Sequence, residues 1–315
     1  MYIGVDLGGT NIAVGIVDDN GNIIEKGSVK TLKERPTDEI VFDMARLSKE
    51  LLKKTGIEMS QIKAIGIGCP GTINVETGEV VYSNNIPMEH YMMADKLKEY
   101  TGKAVYIDND ANCAALGEYA VNGQGAKTFV LVTLGTGVGG GVILDGKVMH
   151  GFNFAGGELG HMTLVSGGKK CTCGKEGCLE VYASATALIE QTQEAITKNP
   201  DSLMAQLAKD NGGVTGRTAF DAMNKGDAAA KAVVEQYARY LADGLVSFEN
   251  IFQPEIIAIG GGVSNAGEAL FEPVREYIDK VRFNKFMPKT KVVKALLGND
   301  AGIIGAAMVA RAADV

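Results

Sequence analysis

The chain has 315 residues, 46% hydrophobic and 22% charged, with a formal net charge of -7 and no tryptophan; this length suggests about two domains of roughly 150 residues each. The apolar fraction excludes general disorder, and 41 glycines in short runs without a three-residue period exclude a collagen-like fibre. With 38 acidic against 31 basic side chains, a sequence-independent grip on nucleic acid is not expected, and no apolar stretch reaches the roughly 18 residues that span a membrane. The opening Met1-Tyr2-Ile3-Gly4-Val5-Asp6 has neither the basic start nor the apolar core of a secretory signal, which predicts a cytoplasmic protein.

Strand-like and helical runs alternate, the pattern of an α/β fold. Strands are expected at Tyr2 to Asp6 and Ile12 to Val17, joined by a Gly8-Gly9 turn, with a third strand after Asp19-Asn20-Gly21; tight turns make this start antiparallel. Thr37 is the expected cap of a helix whose Ile40, Met44, Leu47 and Leu51 share one face, with Gly56 as its stop. Strands follow at Ile62 to Ile67 and Ala104 to Ile107, separated by a helix over Tyr91 to Tyr100, and a helix runs from Asp110 to about Val121. From Phe129 the opening pattern returns. Thr133-Leu134-Gly135-Thr136-Gly137 and Gly141-Val142-Ile143-Leu144-Asp145-Gly146 repeat strand, glycine turn, strand and acidic turn, an internal duplication. Helices over Val181 to Lys198, Ser202 to Lys209 and Ala228 to Phe252 lead to a strand at Ile256 to Ile259 and a Gly260-Gly261-Gly262 turn. A helix, a strand at Val292 to Ala295 and a small-residue helix from Gly302 to Ala313 follow. Two related lobes with a ligand cleft are expected: residues 1–108, completed by a C-terminal helix over 300–315, and a larger lobe over 109–299.

Several motifs carry chemistry. Asp6-Leu7-Gly8-Gly9-Thr10-Asn11 is either a plain hairpin or a loop whose N–H groups approach phosphate oxygens, and its second copy at Gly135-Thr136-Gly137 favours the phosphate reading. The G-x-G-x-x-G over Gly135 to Gly140 is no dinucleotide fingerprint, because a strand follows it where a helix belongs. The G-x-x-x-x-G-K over Gly141 to Lys147 is no P-loop, because Val148 replaces the metal-binding hydroxyl. Asn109 and Asp110, at a strand-to-helix junction, either cap the helix or place a general base at the sheet edge. His161, Cys171, Cys173 and Cys178 form a Cys₃His set in a C-x-C-G-x-x-G-C loop, the ligand chemistry of a closed structural zinc site; a redox pair or free thiols are the alternatives. Flanking Glu158 and Glu180 either accept from hydroxyls of a ligand or are solvated surface residues. Gly261 and Gly262 either touch a ligand or pack a helix on the sheet, and Asn84 and Asn85 line a cleft or form a turn. Nothing in the sequence makes a functional case for His90 or His150.

Together these residues resemble the ROK family within the actin-like, ribonuclease-H-like superfamily of sugar kinases and ATPases, over nearly the whole chain. The resemblance implies a two-lobed fold with duplicated βββαβα cores and a central cleft. It also implies Mg²⁺-ATP held at Asp6, Gly8, Gly9, Thr10, Asn11, Gly135, Thr136 and Gly137, with Gly261 and Gly262 at the adenosine. Asp110 becomes the general base, with Asn109, Glu158, His161 and Glu180 on the sugar, Gly71 and Asn85 as further sugar contacts, and structural Zn²⁺ on His161, Cys171, Cys173 and Cys178. The family holds repressors and kinases. Asp6 stands too near Met1 for the DNA-binding segment of the repressors, so a kinase without a nucleic-acid partner is expected. It is most similar to the glucose-phosphorylating members, acting on the 6-hydroxyl, with N-acetylmannosamine, fructose or allose as alternative substrates and a sugar-responsive regulator as the alternative class. A homodimer or homotetramer is implied as well.

Overall fold

The computed structural model describes every residue except Asn84, Gln124 and Val315. β1 (Tyr2–Leu7) is buried along almost its whole length because it is paired on both edges, antiparallel to β2 (Asn11–Val17) and parallel to β4 (Ala64–Cys69). At the outer edge β3 (Ile23–Lys30) alternates half-buried and exposed residues, the signature of one covered face. With β8 (Ala104–Asn109) parallel to β4, the first sheet reads β3-β2-β1-β4-β8. A separate antiparallel sheet of β5 (Thr72–Asn74), β6 (Glu79–Ser83) and β7 (Met88–Tyr91), which the sequence pattern did not foresee, follows β4.

The duplication is visible in the second sheet. β9 (Thr128–Leu134), β10 (Val138–Leu144), β11 (Lys147–Val148), β12 (Ile256–Gly260) and β13 (Lys291–Lys294) lie in the order β11-β10-β9-β12-β13, the same as in the first. The senses match too: β12 runs parallel to both β9 and β13, as β4 does to β1 and β8.

The chain forms two compact units: Met1–Gly125 with Gly141–Gly157 and Leu296–Val315, and Ala126–Gly140 with Glu158–Ala295. In the first, α1 (Thr37–Thr55) and α2 (Met93–Thr101) cover one sheet face, where Ile40, Met44, Leu47 and Leu51 meet Ile3, Val5 and Val14 in one apolar cluster. Gly56 ends α1 in the left-handed conformation as expected, its N–H bonded to the Leu52 carbonyl. Thr37 does not cap it. Pro36 holds the N-cap position without a side-chain bond, Thr37 is already helical, and Asp38 and Glu39 complement the positive end of the helix.

The other face is covered by α10 (Ala301–Ala313), packed beside α3 (Asp110–Asn122), with Ile303, Ile304 and Met308 against Tyr2, Val17 and Ala64. Residues 109–125 thus group with the first unit through α3. The second unit carries α4 (Glu180–Ala183), α5 (Ala185–Lys198), α6 (Leu203–Asp210), α7 (Thr218–Met223), α8 (Ala228–Phe252) and α9 (Glu268–Val281). The helix expected over Val181 to Lys198 is therefore two, because Ser184 leaves the helical conformation and its hydroxyl accepts the Ala187 N–H at 3.0 Å to cap α5. Among the described residues no helix is long and apolar enough to cross a membrane.

Helix α10 makes backbone contact with its neighbours. A β-carbon on Gly66 of β4 would lie 1.7 Å from the Ala306 carbonyl oxygen, and one on Gly305 would lie 1.6 Å from that of Cys113 on α3. Since rigid backbone stands in the way on both sides, Gly66→Ala and Gly305→Ala are each expected to destabilise the first unit by about 3 kcal/mol or to block its folding. Denaturant titration of either variant, showing native stability, would contradict this packing.

Candidate functional site

In the first unit the chemistry gathers at the carboxyl ends of parallel strands, where α/β sheets hold ligands. The register places Asp6 of β1 opposite Gly68 of β4, and Gly68 opposite Asp108 of β8. Directly after β1, the Gly8-Gly9 hairpin is tied down by Gly8 N–H to the Asn11 carbonyl at 2.9 Å, the Thr31 hydroxyl to the Gly8 carbonyl at 2.6 Å, and Thr31 N–H to the Thr10 carbonyl at 3.0 Å. A cavity of about 700 Å³ opens here, lined by Asp6, Gly8, Gly9, Thr10 and Asn11. It is lined also by Lys26, Asn299 and Asp300, which no motif singled out; Lys26 Nζ pairs with Asp300 at 2.6 Å. Only the return of the chain after β13 brings Asn299 and Asp300 here, so no local signal could have shown them.

Asp6 is desolvated by burial and repelled by the Asp110 carboxylate, which together raise it from 3.8 to about 6. Its carboxylate lies against Gly302 of α10, where a β-carbon would come within 2.5 Å of Oδ2. Asp110 begins α3. Burial raises its proton affinity, opposed by the Ala111 N–H that its Oδ1 accepts at 2.9 Å. Asn109 does serve as the cap: its Oδ1 accepts from the N–H groups of Ala111 and Asn112 at 2.9 and 3.3 Å. Its Nδ2 donates to the Gly71 carbonyl at 3.0 Å, so Gly71 and Asn109 are joined. The Asn85 backbone lies beside Gly9, while Asn84 falls outside the described residues.

The second unit holds the remaining residues. The Gly135–Gly137 turn closes through Gly135 N–H to the Gly137 carbonyl at 3.0 Å, and Ala185 N–H and the Thr186 hydroxyl bind the Gly135 and Thr136 carbonyls, both at 2.8 Å. Gly261, with φ +80°, leaves its α-carbon open for contact with Leu134 at the end of β9, which puts the second and third glycine turns side by side. Glu158 is exposed and precedes a single 3₁₀ turn, Leu159–His161.

The ligating atoms of His161, Cys171, Cys173 and Cys178 all lie within 4.8 Å of one another. Cys171 Sγ is 3.7 Å from His161 Nδ1, and Cys173 Sγ is 3.6 Å from Cys178 Sγ. Sulfurs about 2.3 Å from a tetrahedral ion stand about 3.7 Å apart, close to these two separations, so the donor set suits a metal ion. Burial and the neighbouring thiols push Cys178 up to about 12, so a cation is what would hold it as thiolate. Glu180 is fastened to this cluster: Cys171 Sγ lies 3.6 Å from its Oε1, and its Oε2 accepts the Val138 N–H at 3.0 Å. A β-carbon on Gly137 would fall 2.2 Å from that Oε2, so the missing side chain makes room for the carboxylate.

Two five-stranded sheets of one topology, each with a glycine hairpin between its first two strands, define the actin-like ATPase fold. The chain belongs to the ROK family, whose profile matches residues 2–313. It is 39% identical to the glucokinase of Halalkalibacterium halodurans over 306 residues, 96% of this chain and 93% of that one. It is equally 39% identical to the glucokinase of Thermotoga maritima, over 98% and 96% of the two chains. Among solved structures it is similar to a ROK family glucokinase from Streptomyces griseus in complex with glucose and AMPPNP, with a TM-score of 0.81 and 34% identity over 99% of each chain.

The raised Asp6 carboxyl has a readable consequence. A carboxyl that binds its proton more tightly when folded lowers stability as pH rises from 3.8 to about 6, and the loss persists above that. Asp6→Asn is expected to flatten this slope and to raise the melting temperature at neutral pH by roughly 2–6 °C in thermal scans free of divalent cations. An unchanged pH dependence would mean that Asp6 is not desolvated as described.

Proposed function

We propose that the chain is a kinase that transfers the γ-phosphate of ATP to the 6-hydroxyl of glucose. The observation that carries the reading is the partly buried Asp110 carboxyl at the start of α3, in a ROK chain whose relatives of near-equal length are named glucokinases. Burial raises the basicity of the Asp110 carboxylate in the direction a general base needs, against the hydrogen bonds it accepts from the Ala111 and Asp110 N–H groups and the Asn109 side chain. Glu158, His161 and Glu180 take the sugar hydroxyls, and Asn109 and Gly71, already bonded to each other, with Asn85, complete the sugar set. The hairpins Gly8-Gly9-Thr10-Asn11 and Gly135-Thr136-Gly137 cradle the phosphates, through groups other than the Gly8 and Gly135 N–H that close the turns, with Gly261 and Gly262 at the adenosine. Mg²⁺ bound with ATP neutralises charge on the β- and γ-phosphates, and Asp6 is the carboxylate that would hold it through water.

Zinc on His161, Cys171, Cys173 and Cys178 is part of the same reading. The donor set is soft and closed, which suits a structural ion, and with Nδ1 turned to the cluster the other ring nitrogen of His161 is left for a sugar hydroxyl. A cytoplasmic homodimer or homotetramer without a nucleic-acid partner completes it.

ADP release from Mg-ATP, measured with glucose, N-acetylmannosamine, mannose, fructose and allose, is the direct test. Turnover strongest with glucose and absent without sugar is expected; turnover with another sugar would reassign the substrate, and sugar-independent hydrolysis would overturn the kinase. Asp110→Asn should lower kcat by roughly 10²- to 10⁴-fold while sugar binding, followed by calorimetry, is largely kept. Cys173→Ser should empty the zinc site in metal analysis and raise the glucose KM by roughly 10- to 100-fold before ATP binding suffers.

A further inference from the structure

His150 stands at the end of the run after β11, outside every motif, yet its ring reaches the junction that carries Asp110. Nε2 donates to Asp108 Oδ2 at 2.7 Å, and Asp108 is only 3% exposed. The other oxygen of Asp108 accepts the Asn109 N–H at 2.7 Å and the Asn112 Nδ2 at 3.0 Å, with Asn112 itself buried. One carboxylate thus bonds the residues on both sides of Asp110, and its remaining lone pairs point to a single imidazole. The main chain of His150 is occupied as well: its carbonyl accepts the Gly156 N–H at 2.8 Å, closing the Gly151–Gly156 loop whose Phe152 is 97% exposed.

A buried carboxylate without a charged or donating partner is costly. Without His150, Asp108 Oδ2 would lose its donor and the carboxylate would turn toward water, loosening the bonds that Oδ1 accepts from Asn109 N–H and Asn112 Nδ2. We propose that His150 is a positioning residue, acting through Asp108 to hold the β8–α3 junction so that the Asp110 carboxylate is correctly aimed. The bond to Asp108 raises the affinity of the His150 ring for its proton.

The kinetic arm rests on the kinase reading, and a second arm does not. His150→Leu, which removes the donor, is expected to lower kcat by roughly 10- to 100-fold with the KM for ATP unchanged. His150→Gln, which keeps an N–H within reach of Asp108, is expected to recover most of that loss. In hydrogen exchange, the amides of Asn109, Ala111 and Asn112 should open several-fold faster in His150→Leu, while β1 and β4 keep their protection. Native exchange at those amides, or faster exchange with undiminished kcat, overturns the proposal, as does a failure of His150→Gln to recover activity. Should the native chain phosphorylate no sugar, the kinase reading falls, and the exchange comparison still decides whether His150 anchors the junction.

Discussion

The first unit depends on one close contact, the passage of α10 across β1, β4 and α3, where backbone meets backbone at Gly4, Gly66 and Gly305. Gly305 is small because the Cys113 backbone opposes it, Gly302 because the Asp6 side chain does, and Gly4 and Gly66 because the α10 backbone at Ile303 and Ala306 lies against them. Dense packing of this kind transmits its geometry. Because Gly302 has no side chain, the helix closes over Asp6 and removes water from the carboxylate. The raised proton affinity of Asp6 is therefore a consequence of helix packing, expressed at the point where the phosphate hairpin begins. Sequence, packing and acid–base chemistry meet in that single residue pair.

The second unit solves the equivalent problem by different means. Its glycine hairpin at Gly135–Gly137 is braced by the start of α5, and the carboxylate beside it, Glu180, is fixed by the Val138 N–H and the Cys171 thiol. The shape of the Cys/His loop comes from two short bridges, Thr163 to Cys178 and Lys170 to Glu176, and from four side chains converging on one point. A ligand set within one short loop is an economical brace where no long helix is available.

Much of this was legible because the relevant signals are local or repetitive. The duplicated glycine hairpins predicted two sheets of one plan, and α8 spans the Ala228 to Phe252 run read from its spacing. The Cys₃His spacing brought together the four residues that converge. Failures had physical causes. Thr37 was a sound capping residue, but Pro36 before it already fixes the start of α1. The strands β5 to β7 are three to five residues long, with a register shift between Thr72 and Ile73, too short for a period to emerge. Nothing local marks His150, because its partner Asp108 is 42 residues away in sequence and only the fold reveals the pair. Lys26 and Asp300, 274 residues apart, were hidden for the same reason.

The first unit is assembled from three separate stretches of sequence, with residues 126–140 and 158–295 of the other unit lying between them. During synthesis β1 and β4 emerge early, yet the face on which Tyr2, Val17 and Ala64 lie is covered in part by α3 alone until the ribosome has passed α10. Throughout that interval part of an apolar sheet face is available to chaperones and to other nascent chains, whereas 158–295 can condense as it emerges. The cell therefore makes the half that begins first and finishes it last.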